Sequence, residues 1–71
     1  HRAAAAARAL LRRGELVDGA GAVLLTCHPD VKAQLKPEWL AELARRCGRP
    51  VAIETAPGLA LEAGFAQAIS S

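Results

Sequence analysis

The chain has no tyrosine and no methionine, and 71 residues hold only one tryptophan and one phenylalanine. So few bulky rings leave little material for a core. At this length one small domain, near the lower limit for independent folding, is the most the chain can build, and a self-contained multi-domain enzyme is excluded. Cysteine is also scarce. Cys27 and Cys47 offer at most one bridge, so a disulfide-stapled scaffold is excluded, and sparse thiols without a signal-like segment point to a reducing cytoplasm. With no methionine and a start at His1, these residues are expected to be a processed product or a piece of something longer. Long apolar runs are absent because Arg8 and the Arg12-Arg13 pair interrupt the alanine tract, and this excludes a membrane helix. Five consecutive alanines lack the bulky apolar centre of a secretory signal. A charge excess is lacking too: nine Lys/Arg against seven Asp/Glu give a formal +2, too little to argue nucleic-acid binding on charge alone.

What is present is periodic. Arg2 to Arg13 contains strong helix formers with neither Gly nor Pro, and Gly14 stands where such a helix is expected to stop. This N-terminal basic helix, residues 1–14, carries Ala3, Ala7, Leu10 and Leu11 on one side and Arg2, Arg8, Arg12 and Arg13 on the other. Glu15 to Gly21 reads as a loop. Ala22 to Cys27 is a short apolar run that suits a central strand covered on both faces. Pro29 opens a short helix to Leu35, with Val31 and Leu35 one turn apart. Pro37 opens a longer one, in which Leu40, Leu43, Ala44 and Cys47 repeat at helical spacing before Gly48 ends it. Val51 to Thr55 alternates as a strand, Pro57-Gly58 breaks it, and Gly64 to Ile69 supplies a last strand. Part of the alanine content reflects compositional bias with no structural message. The expected fold class is α+β: a small two-layer αβαββ domain, with a three-stranded mixed sheet in a βαββ core over residues 22–69 and helices packed on it.

No constellation carries chemistry. Cys27, His28 and Asp30 sit within four positions, but zinc wants two close pairs of ligands and the other cysteine lies on a buried helix stripe, so no metal site is assigned. Neighbours along a strand point to opposite faces, which separates Cys27 from His28 as a nucleophile and its base. Catalytic residues: none. Glu38 and Glu42 lie on a solvated helix face, where Glu42 can meet Arg46. Gly19-Ala20-Gly21 precedes a strand and not a helix, so it is no phosphate loop. Trp39 reads as a core or interface anchor rather than a base-stacking platform.

A resemblance adds to this. Leu25-Thr26-Cys27-His28-Pro29-Asp30-Val31, the run Trp39 to Ile53 through Cys47-Gly48-Arg49-Pro50, Ala56-Pro57-Gly58-Leu59 and Gly64-Phe65-Ala66-Gln67 together resemble the C-terminal end of the ribonuclease E/G family. There an apolar strand ends at His-Pro or Asn-Pro, a Leu- and Glu-rich helix closes with Gly-Arg/Lys, and an Asp-Pro-x-Leu loop precedes the last strand. Ala56 stands where that family has Asp. The resemblance implies a parent endoribonuclease in RNA processing, using magnesium held by two aspartates and a Cys-x-x-Cys zinc link, all outside these residues; the chain itself needs no cofactor. The same βαββ order with a His-Pro is also similar to the C-terminal interaction domain of flagellar and type III secretion stator proteins. Phe65-Ala66-Gln67 fits the ribonuclease pattern better; a third reading is an αβαββ protein-interaction domain of neither family.

The expected role is therefore non-catalytic: supporting the upstream catalytic domain, or pairing with a second subunit, with no membrane involved. Trp39, Leu10, Leu11 and Phe65 are the interface candidates, and Val23 or Leu24 is expected to need cover from outside. Weak, non-specific RNA contact would fall to Arg8, Arg12, Arg13, Arg45, Arg46 and Arg49.

Overall fold

A computed structural model describes residues 2–69; His1, the first residue of the expected basic helix, lies outside the described residues. The elements run α1 (Arg2–Glu15), β1 (Ala22–Cys27), α2 (Pro29–Lys32), α3 (Pro37–Cys47), β2 (Val51–Thr55), a single 3-10 turn (Leu61–Ala63) and β3 (Phe65–Ile69). The sheet has the order β2-β1-β3, with β1 parallel to β2 and antiparallel to β3. The fold is α+β with a three-stranded mixed sheet.

Local chemistry explains the boundaries. His28 has extended backbone and its Nδ1 accepts the Asp30 N–H at 2.9 Å, so it caps α2, and Pro29 fills a first-turn position where no amide hydrogen is required. Regular α2 ends at Lys32, short of the expected Leu35; hydrogen-bonded turns carry the chain on, and Val31 and Leu35 are both buried. Gly48 ends α3 in the left-handed region at φ 65°, where its N–H reaches the Ala44 carbonyl at 2.9 Å.

Gly14 does not stop α1. The helix continues to Glu15, and Gly14 is buried inside it. A methyl group at that position would come within 3.0 Å of Leu43 Cδ2 and 3.2 Å of Leu25 Cδ2, so the missing side chain is what lets α1 settle against α3 and the sheet. Ala6 and Ala7 are buried on the same side, with Leu10 between them and Gly14. These alanines are structural: small side chains keep the helix close to the strands.

Strand registers sort the sheet into two faces. Val23, Leu25 and Cys27 stand beside Val51, Ile53 and Thr55 on β2 and beside Ala68 and Ala66 on β3. This face meets the helices in one cluster with Ala6, Ala7, Leu10, Val31, Leu35 and Leu43. The other face carries Leu24, Thr26, Ala52, Phe65, Gln67 and Ile69. None of Leu24, Phe65 and Ile69 joins the cluster. The central strand is thus covered on one face only, because the helices all build on the Val23 side. Val23 is fully buried by this chain alone and needs no outside cover; Leu24 is half-buried on the open face.

Candidate functional site

Two helical stripes of equal spacing meet on the outer side of the helical layer. Arg8, Leu11, Arg12 and Glu15 recur on α1 at i, i+3, i+4 and i+7, and Trp39, Glu42, Leu43 and Arg46 do the same on α3. Between them lies a groove of about 490 Å³ lined by these eight residues. Leu11 and Trp39 supply its accessible apolar surface, Leu43 borders it from the core at 3% exposure, and five charged side chains supply the rest.

At one end an ion pair bridges the two helices. Arg46 Nη1 donates to Glu15 Oε1 at 3.1 Å, joining the last turns of the two helices, and Arg46 Nε donates to Glu42 Oε2 at 3.1 Å. Arg45 also pairs with Glu42. Hydrogen bonds from Arg45 and Arg46 hold the Glu42 carboxyl below the usual carboxylate range, and Glu15 first, then Glu42, raise the Arg46 guanidinium further. Close by, the Cys47 thiol lies 3.9 Å from the Gly14 carbonyl. At the other end Lys36 Nζ sits over the Trp39 ring, 5.3 Å from its centre. The side chains of Arg8 and Arg12 make no hydrogen bond or ion pair among the described residues.

The six expected RNA-contact arginines therefore divide by what they already hold. Arg13 Nη1 donates to the Gly64 carbonyl at 3.0 Å, linking α1 to the start of β3. Arg49 reaches the Gly21 carbonyl through Nε at 2.7 Å and the Val17 carbonyl through Nη1 at 3.0 Å, so it pins the α1–β1 loop. Its Nη2 is buried without a partner among the described residues. Arg45 and Arg46 are in ion pairs. Only Arg8, Arg12 and Arg46 line the groove.

The interface candidates divide as well. Leu10 is 1% exposed in the chain's own core, where it packs under the sheet, and is unavailable to a partner. Leu11 and Trp39 are half-buried in the groove. Phe65 is 44% exposed on the open sheet face, far more than a core phenylalanine. Thr26, opposite it in register, is 5% exposed with an unpartnered hydroxyl.

Metal chemistry finds no donor set. Among the described residues no three His, Cys, Asp or Glu converge. Cys27 is buried in the core, and burial pushes its thiol up. His28 uses Nδ1 in capping. No helix is long and apolar enough to cross a membrane among the described residues.

Two features escaped the sequence. Glu15 and Glu42 belong to the groove, and the signal that could have found them is the shared i, i+3, i+4, i+7 spacing. The anchoring role of Arg49 leaves no local signal, since its acceptors lie about thirty residues earlier. Compared with protein-family models, curated proteins and solved structures, the chain matches none.

Proposed function

We propose that this chain is a non-catalytic protein-association domain, of the kind that closes the C-terminal end of a ribonuclease E/G-type endoribonuclease, and that it docks on the catalytic body of that enzyme. The observation that carries this reading is the uncovered sheet face. Leu24, Phe65 and Ile69 lie together on the side without helices, and Phe65 is 44% exposed in a chain that has no other phenylalanine. An apolar patch of this kind on a small domain is a contact surface in waiting. The ribonuclease identity rests on the order and spacing of the quoted residues, from His28-Pro29 to Phe65-Ala66-Gln67.

Sedimentation tests the reading. The chain alone, and the chain mixed with a ribonuclease E/G catalytic region, would be compared with Phe65→Glu, whose solvent-facing position leaves the helical core intact. Association with the catalytic region that Phe65→Glu abolishes is the expected result. A wild-type chain that sediments as a monomer beside that region, indistinguishable from the variant, would refute it.

A further inference from the structure

Resting on the protein-association role above, we propose that the groove between α1 and α3 docks an acidic, amphipathic helical segment of a partner protein. Its shape is the first reason. Two i, i+3, i+4, i+7 stripes run side by side for about 10 Å each, the span over which a third helix presents an apolar side chain at each turn. The half-buried Leu11 and Trp39 form the apolar surface such side chains would meet, with Leu43 packed in the core beneath them. The Glu15–Arg46 pair bridges one end of the groove, and Arg8 and Trp39 stand at the other.

Charge selects the occupant. Arg8 and Arg12 are one turn apart on α1, line the groove, and have no partner among the described residues, whereas Arg46 is already neutralised by Glu15 and Glu42. The attraction on offer is therefore two cations on one wall, matched by carboxylates at i, i+4 on a docked helix. A nucleic-acid backbone carries charge continuously and would have to pass Glu15 and Glu42, which line the same groove. A base stacking on Trp39 would also compete with Lys36, already over the ring. The peptide places negative charge only where the groove is positive.

Trp39 is the sole tryptophan, so it reports on the groove directly. The probe is a synthetic helical peptide of about four turns with Leu along one stripe and Glu flanking it, titrated into the intact chain in about 0.15 M salt while Trp39 fluorescence is followed. A saturable change is expected, weakened roughly tenfold or more by Arg8→Glu or Arg12→Glu. Lys32→Glu, an equal charge change on α2, should shift affinity by no more than about threefold. Circular dichroism confirms that each variant is folded. Three results would overturn the proposal: no fluorescence response to the peptide, equal losses from Lys32→Glu and Arg8→Glu, or an oligouridylate that binds through Arg8 and Arg12 while the peptide is silent. Phe65→Glu lies outside the groove and should leave the titration unchanged. A silent peptide beside Phe65-dependent sedimentation would sink the groove alone; peptide binding without sedimentation partners would sink the sheet-face role alone.

Discussion

Gly14→Ala sets two opposed effects against each other, and the packing around α1 decides between them. Replacing glycine inside a helix by alanine gains about 1 kcal/mol from propensity. Here the new methyl would stand 3.0 Å from Leu43 Cδ2 and 3.2 Å from Leu25 Cδ2, against an optimal carbon separation of about 3.5–4.0 Å. Leu25 is fully buried and Leu43 is 3% exposed, so neither can swing into solvent. Overpacking of that kind costs about 1–3 kcal/mol, and with two fully packed neighbours to displace the balance is a net loss of up to about 2 kcal/mol. For a chain of this size, with about 4–10 kcal/mol of total stability, the loss is easily measured by urea denaturation followed by circular dichroism. A cycle with Leu43→Ala isolates the cause. Leu43→Ala alone should cost about 2–5 kcal/mol, but in the Gly14→Ala background the added methyl occupies part of the space vacated, so the double variant should lose less than the sum. Stabilisation by Gly14→Ala, or strict additivity in the cycle, would mean that α1 does not approach α3 and the sheet as closely as the buried glycine requires.

Arg49→Ala should destabilise by about 1–3 kcal/mol, because it leaves the Gly21 and Val17 carbonyls without their donor, and hydrogen exchange should show the α1–β1 loop opening first; an unchanged loop would place the anchor elsewhere. Acid should loosen the fold in a defined window: Glu42 and Glu62 are both held below the usual carboxylate range by arginines, so their contribution is present above about pH 4.3 and lost as pH falls through their lowered folded values. Thermal melts from pH 7 to pH 3 should show this fall, and Glu42→Gln combined with Glu62→Gln should flatten it. Thiol labelling of the native chain should modify the half-buried Cys47 and spare the buried Cys27, which becomes reactive only on unfolding; equal native rates would contradict its place in the core.

How much of this was legible in the sequence depended on how far each signal had to reach. The bounds of β1, α3 and β2 follow from neighbours in the chain: glycines before Ala22, His28-Pro29 after Cys27, Pro37 and Gly48 around one apolar stripe, Pro57-Gly58 after Thr55. Each boundary is set by residues within a turn or two, so a linear pattern is enough. Gly14 misled because a glycine near a helix end has two physical meanings, a stop or a point of close approach, and only the position of Leu43, some thirty residues later, separates them. Leu10 misled for a related reason. Its helix stripe was visible, but which surface that stripe meets depends on which face of the sheet the helices choose.

The groove illustrates the same limit in its strongest form. Arg8-Leu11-Arg12-Glu15 and Trp39-Glu42-Leu43-Arg46 are each readable as a mixed stripe, and each alone describes an ordinary solvated helix face. They become a site only because α1 and α3 lie on the same side of the sheet, with Gly14 admitting Leu43 and the Arg46–Glu15 pair joining their last turns. That juxtaposition also changes the meaning of the arginines. In the sequence, six of them form two equivalent basic groups; in the fold, Arg13 and Arg49 hold backbone carbonyls, Arg45 and Arg46 are paired with carboxylates, and Arg8 and Arg12 alone keep their charge available beside an apolar surface. Net charge thus overstates what this domain can offer a polyanion. The two of these six arginines left without a partner among the described residues, set one turn apart beside Trp39, match a few placed carboxylates better than a continuous phosphate chain.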